Sequence, residues 1–209
     1  VTLPSSIVAD VAARFLEPAP CDGVVVSSRT RYARNIAGHG FAPHATGLVL
    51  ARARAEIVEA FTEIGSLNKY HLLEMTEVSG RERGFLKEAR FISKEMERGG
   101  AHRAVYISPE LKSSIMVNEE DHLRIQCLEP GLQIGRAQER LNELEAEIGR
   151  VLTYAYHEQF GYLTACPTNV GTGLRASVMM HLPALTLKRD IDAILATLPS
   201  QGLTVRGFN

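Results

Sequence analysis

The sequence has no tryptophan, only three cysteines, and aromatics at 6% of its residues. Cys21, Cys127 and Cys166 are scattered along the chain. An odd, scattered set closes no disulfide framework and favours a reducing, cytoplasmic setting. No stretch approaches the ~18 uninterrupted apolar residues of a membrane span. The opening Val1-Thr2-Leu3-Pro4-Ser5-Ser6 lacks the basic n-region and long apolar core of a secretion signal. Excess charge is missing as well: 23 Lys+Arg against 24 Asp+Glu leave a formal net charge of -1. A generally basic nucleic-acid coat is thereby excluded, though a local basic pocket is not. A disordered chain would not carry 45% apolar residues. What remains is 209 residues, ample for one large domain or two small ones around a self-supporting core.

Patterning supplies the elements. A short helix is expected from Pro4-Ser5 to about Phe15, then a buried strand from Val24 to Arg29. Leu50, Ala53, Ile57, Phe61 and Ile64 predict a helix over 46–64. Residues 69–75 are ambiguous, and 79–87 and 93–98 suggest short helices or loops. Strand signals follow at 103–107 and 115–117. Leu123, Ile125 and Cys127 then alternate with His122, Arg124 and Gln126, so one face is buried and the other offered. Glu129-Pro130-Gly131 reads as a turn, and the seam from Ala137 to Ala155 as the longest helix, ending near Phe160-Gly161. In the strand from Leu174 to Leu182, Arg175, Ser177, Met179 and His181 oppose Leu174, Ala176, Val178 and Met180. A helix from Leu187 to Leu198 and a last strand, Leu203 to Arg206, complete an α+β order. It suits an antiparallel sheet backed by helices.

Three segments carry chemistry. In Ser27-Ser28-Arg29-Thr30-Arg31, a continued strand puts Arg29 and Arg31 on one face about 6.6 Å apart, within reach of neighbouring phosphoryl oxygens. A solvated strand end is the plain alternative. Asn118-Glu119-Glu120-Asp121-His122-Leu123-Arg124 sets three carboxylates and a histidine between apolar runs. Such carboxylates can grip a guanidinium or accept its proton; a charged hairpin is the bland reading. Cys166-Pro167-Thr168-Asn169-Val170-Gly171-Thr172-Gly173-Leu174-Arg175 joins a thiol to a glycine-bearing loop able to wrap an anion, without the P-loop ending. A cysteine nucleophile would need a base, and His122, His157 and His181 are equal candidates by spacing. No zinc or calcium spacing occurs. Arg29, Arg31, Arg124, Arg175 and Arg206 each stand opposite apolar strand residues. On one sheet they converge and call for a polyanion such as Mg·ATP; otherwise they scatter.

Together these blocks, in this order and with Val205-Arg206-Gly207 after them, resemble the signatures of ATP:guanidino phosphotransferases, the family of creatine and arginine kinases and of bacterial protein-arginine kinase. Gly161-Tyr162-Leu163-Thr164 and His181-Leu182-Pro183 resemble the bacterial branch. The resemblance implies a twisted antiparallel sheet flanked by helices, the guanidino kinase (glutamine synthetase-like) catalytic fold, over 22–209, with 1–21 as an extension. It implies a cytoplasmic transferase that moves the ATP γ-phosphoryl group to arginine guanidinium in proteins. Magnesium would be held through nucleotide and water, with no protein metal site. Protein substrates bearing exposed arginine are the implied partners, with room for an activator protein and a homodimer, and none for nucleic acid or membrane.

By the same resemblance Ser27, Ser28, Arg29, Thr30, Arg31, Arg124, Arg175, Ala176, Ser177, Val178, Met179 and Arg206 meet the nucleotide. Arg90 joins them where the family usually has a histidine. Glu120 would grip and deprotonate the acceptor, Glu119 would order the magnesium water shell, and Cys166 would polarise the acceptor without a covalent intermediate. Only some twenty residues precede the first strand, where small-substrate kinases carry a helical domain; that favours protein arginine. The family pattern continues past Asn209 with a mobile loop bearing a second substrate carboxylate, so the domain is expected to be incomplete and the short chain weak or inactive. A nucleotide- or phosphoarginine-binding module, or a regulatory partner, is the competing reading.

Overall fold

The computed structural model describes residues 17–188 and 191–206, together with Ile7, Asp10, Val11 and Ala13, which are helical. The rest of the expected first helix, and Gly207, lie outside the described residues. Six antiparallel strands form one sheet in the order β2-β3-β4-β5-β1-β8. They are β1 (Val25–Arg34), β2 (His71–Glu74), β3 (Ala104–Ile107), β4 (Ser113–Val117), β5 (Leu123–Pro130) and β8 (Leu174–Met180). A separate hairpin joins β6 (Tyr156–His157) to β7 (Gly161–Tyr162).

The alternation in the sequence becomes two faces. On one, Tyr106, Ile115, Ile125 and Cys127 pack against α1 (Gly47–Thr62) and α4 (Ile134–Ile148) through Ile57, Phe61, Leu141 and Ile148. The Thr46 hydroxyl caps α1, accepting from Val49 N. The other face changes character along the strand order. Leu73, Val105, Ile107 and Met116 are roofed by the cluster of Leu86, Phe91 and Met96. These belong to α2 (Gly80–Glu88), α3 (Lys94–Glu97) and the link between them. A Ser79–Glu82 capping box starts α2, and Ser93 caps α3. Beyond that roof the same face turns cationic. Cross-strand pairing sets Met116 beside Arg124, Ser114 beside Gln126, Gln126 beside Arg31 and Arg31 beside Arg175.

Five local expectations differ from the structure. β1 runs five residues past Arg29, to Arg34, with Arg29 and Arg31 on the open face while Thr30 and Arg34 are buried. β5 continues through Pro130, and Gly131, at φ 61°, makes the turn. The helix begun at Ile134 stops at Gly149, so Val151 and Ala155 lie past its end. Its core contribution is extended by Leu152, which still fills the seam. Finally, Leu203 to Arg206 form exposed coil rather than a strand. The span 187–198 holds α5 (Pro183–Lys188) and α6 (Ile191–Thr197), not one described helix.

Candidate active site

Period-two geometry decides which predicted residues meet. Arg29 and Arg31 project from β1 to the open face, Arg124 from β5, and Arg175 and Ser177 from β8. Arg31 lies directly across from Arg175, and Arg29 across from Ser177. A cleft of about 350 Å³ opens there, lined by Arg31, Glu119, Glu120, Asp121, Arg124 and Arg175 among others. Burial, then the charges of Arg124 and Arg90, bring Arg29 down to about 10. Burial, then Arg124, Arg29 and Arg175, bring Arg31 down to about 9. The Nε atoms of Arg29 and Arg124 are buried without a hydrogen-bond partner. Cations held so close, with buried donors unmet, form a surface short of negative charge.

Arg90 approaches the same face from the link after α2. Its backbone is left-handed at φ 67°, its carbonyl accepts from Gln126 Nε2, and its guanidinium contacts the Met179 sulfur. Met179 is paired with Ser27 beyond an irregularity in the β1–β8 register. By contrast, Ser28 and Thr30 turn to the helix-backed face. Ser28 Oγ donates to Gly131 O at 2.8 Å and accepts from Gln133 N at 2.9 Å, a structural tie. Ala176 and Val178 share that parity, paired with Thr30 and Ser28. Only their backbone is open to a ligand on the cleft side. Arg206 stands exposed in coil and is not among the described residues lining the cleft.

The carboxylates occupy one rim. Glu119 accepts from Arg124 Nη1 at 2.8 Å and from Glu120 N at 3.0 Å. Burial works to raise its carboxyl, but Arg124 and hydrogen bonds from Ser93 and Glu120 outweigh it and hold the group below its ordinary value. Glu120, one residue on, is raised: partial burial and the neighbouring Asp121 and Glu119 disfavour its charge. Two adjacent carboxylates with opposite shifts suit opposite tasks, one a fixed charge and one a proton acceptor. Arg124 and Cys166 work the other way on Glu120 and favour its charge, and the Cys166 sulfur lies 3.1 Å from Thr168 Oγ1.

None of the histidines weighed as a base is bonded to Cys166 among the described residues. His122 is buried, with Nδ1 accepting from Ile36 N at 3.1 Å and Nε2 set 3.1 Å from Gly40 O. Those contacts select the Nε2–H tautomer, and burial keeps the ring neutral by lowering its pKa. His157 Nδ1 accepts from Gln159 N, and its ring stacks on Phe160. A protease-type pair is therefore not assembled.

Two supports escaped the pattern. Arg34, buried at the end of β1, donates to Glu145 Oε1 and Thr172 O and lies 3.6 Å over the Tyr162 ring. It pins the glycine loop to the sheet. Its signal was a cation on the buried parity of β1, which demands a partner. Gly173, at φ 65°, brings its carbonyl to Ala33 N at 3.0 Å. A Cβ there would fall 2.6 Å from Ala33 O.

A match to the ATP:guanido phosphotransferase C-terminal catalytic domain covers residues 52–209. The chain belongs to this family. β1 precedes the matched span, yet it is the strand that both β5 and β8 pair with. The chain is 45% identical over 196 residues to the protein-arginine kinase of Desulforamulus reducens, covering 90% of this chain and 54% of that one. It is 43% identical over 202 residues to that of Geobacillus stearothermophilus, covering 94% and 55%. It thus spans about half the length of these curated relatives. A taurocyamine kinase from Schistosoma mansoni with bound transition-state analogue components superposes with a TM-score of 0.74 at 26% identity, over 87% of this chain and 27% of that one. A lombricine kinase shares the fold at a TM-score of 0.70 and 24% identity, over 84% and 53%. The twisted antiparallel sheet with flanking helices is therefore the guanidino-kinase catalytic fold, in a family that uses ATP and magnesium. No described helix is long and apolar enough to cross a membrane.

Proposed function

We propose that this chain carries the catalytic core of an ATP-dependent protein-arginine kinase, moving the γ-phosphoryl group to a guanidinium nitrogen of arginine in a protein. The observation that carries the reading is the meeting of two unlike surfaces in one cleft. An arginine face short of negative charge adjoins a rim where Glu119, Glu120 and Cys166 stand together. Similarity to protein-arginine kinases supports arginine as the acceptor class.

The division of labour follows from charge. Arg29, Arg31, Arg124 and Arg175 would hold the triphosphate, with Arg90 and Met179 toward its nucleoside end. The buried, unmet Nε donors of Arg29 and Arg124 fit such a polyanion. Magnesium, when bound, spreads charge developing on the transferring phosphoryl group. Glu119 would accept from its water shell. Glu120 would grip the acceptor guanidinium and take the proton the attacking nitrogen loses, a role its raised proton affinity favours. Cys166, beside that carboxylate, would orient the guanidinium and form no covalent phosphoryl intermediate. Most of the catalytic effect is then positioning and charge stabilisation.

The test is phosphoarginine formation on an arginine-rich protein with Mg·ATP, read by acid-free mass spectrometry, beside calorimetric titration of the nucleotide. The expected affinity is micromolar to millimolar, ~4 to 8 kcal/mol. Equal nucleotide binding by the wild type and an Arg29→Ala/Arg175→Ala pair would end the assignment. Cytoplasmic location, an activator protein and self-association belong to the same reading.

A further inference from the structure

Asn35 and Asp121 lock three segments together at the acceptor end of the cleft. Asp121 Oδ1 accepts from Asn35 Nδ2 and from Ala165 N, each at 2.6 Å. Asn35 Oδ1 accepts from His122 N at 2.9 Å, and its Nδ2 also reaches Leu163 O at 3.2 Å. The end of β1, the β4–β5 turn and the loop leading to the thiol are thus fastened at one point. Glu120 immediately precedes Asp121, and Cys166 immediately follows Ala165. Both clasp side chains are buried, Asn35 at 1% and Asp121 at 2% exposure. A buried carboxylate is a costly way to fasten a loop, since desolvation opposes its charge.

We infer that Asn35 and Asp121 are positioning residues that set the Cys166 thiol against the Glu120 carboxylate. The inference deepens the kinase reading and takes its catalytic meaning from it. The groups facing Glu120 are Asp121 and Glu119 from its own turn, Arg124 from β5 and Cys166 from the fastened loop. Arg31 and Arg175 line the same cleft. The clasp reaches two of those groups directly: Asp121 is one, and Cys166 hangs from the amide next to it. A displacement of about 1 Å at that amide is enough to spoil a near-attack arrangement.

The 209-residue chain supplies its own controls, because Cys21 is exposed and Cys127 buried. Iodoacetamide labelling with site-resolved mass spectrometry is compared for the wild type, Asn35→Ala, Asp121→Ala and Asp121→Asn, each with native circular dichroism. Loss of the clasp should speed Cys166 labelling about fivefold or more, with Cys21 and Cys127 unchanged. Asp121→Asn keeps an oxygen acceptor and should return the Cys166 rate to within about twofold of wild type. In the transfer assay, Asn35→Ala should lower kcat about tenfold at an unchanged KM for ATP. An unchanged Cys166 rate in folded Asn35→Ala overturns the clasp. If neither alanine variant folds, amide exchange in the wild type decides: an Ala165 N–H exchanging as fast as an open loop overturns it too. Wild-type transfer with an unaltered kcat in Asn35→Ala removes the positioning role. A labelling response without phosphoarginine from any variant, wild type included, when transfer is assayed on the chain extended past Asn209 through the second substrate carboxylate, sinks the kinase reading instead and leaves the clasp standing.

Discussion

Replacing Arg31 by methionine should have two effects of opposite sign. Arg31 sits across β1–β8 from Arg175 and one strand from Arg124, with Arg29 two residues away on the same face. Neighbouring strands run ~4.8 Å apart, so the guanidinium groups lie ~7 Å from one another. At an effective dielectric of ~20 to 40, each such pair repels by roughly 1 to 2 kcal/mol. Glu119 offsets part of this, and water in the open cleft screens more, leaving a net strain of ~1 to 2 kcal/mol. The depressed value of Arg31, about 9, has the same sense: its charge opposes folding at every pH below that value. Methionine keeps the aliphatic stem and removes the charge. Without nucleotide, the variant should melt ~2 to 8 °C higher than wild type in scanning calorimetry. With Mg·ATP, a lost charge-assisted phosphate contact of ~1.5 to 3 kcal/mol should weaken binding ~10- to 150-fold by titration. Added salt should stabilise the wild type more than the variant. A variant that melts lower while binding ATP normally would refute the idea that the cluster is held together against its own repulsion to receive a polyanion.

In the chain extended past Asn209, Glu120→Gln should lower phosphoryl transfer by ~10²-fold or more with ATP affinity little changed, as measured by phosphoarginine formation and calorimetry. Because the Glu120 carboxyl is raised, wild-type transfer should fall off with acid at a higher pH than an ordinary carboxylate would give. The same shift means that its ionisation costs native stability as pH rises through the folded value; Glu120→Gln should therefore melt no lower than wild type near neutrality, and a clear drop would count against the shift. Gly173→Ala should reduce stability by ~2 kcal/mol or more in urea unfolding, from its left-handed backbone and the close Ala33 carbonyl. Ile57→Ala, in the helix-backed core, should destabilise by ~2 to 5 kcal/mol and leave ATP affinity intact in the folded fraction, since its side of the sheet faces away from the cleft.

Alternation placed Arg124 and Gln126 opposite Leu123, Ile125 and Cys127, because a strand has only two faces; it did not show that the second face is largely covered too, with His122 and Gln126 buried and Arg124 alone partly open. The spacing of Arg29 and Arg31 likewise put them on one side of β1, and the block order carried the family. The segments 79–87 and 93–98, left open between short helices and loops, are helices in the fold, started by the Ser79–Glu82 capping box and by Ser93. Local pattern could not say which strands are neighbours. Arg31 meets Arg175 only because β8 returns to pair with β1, across 144 residues of chain whose loop geometry no short motif encodes. The same limit hid the partnership of Asn35 and Asp121. The pattern marked Asp121 as one of three carboxylates, but only the fold brings Asn35 and the Ala165 amide onto its Oδ1. Ser28 and Thr30 show the converse: they belong to the phosphate motif in sequence, but the pleat turns their side chains away from the cleft. What the sequence by itself determined was the inventory of faces, caps and charged groups, set by periods of two and 3.6 residues. Which of those groups share one cleft was decided by the tertiary pairing of strands distant in sequence, because contact energies there depend on register and direction rather than on neighbours in the chain.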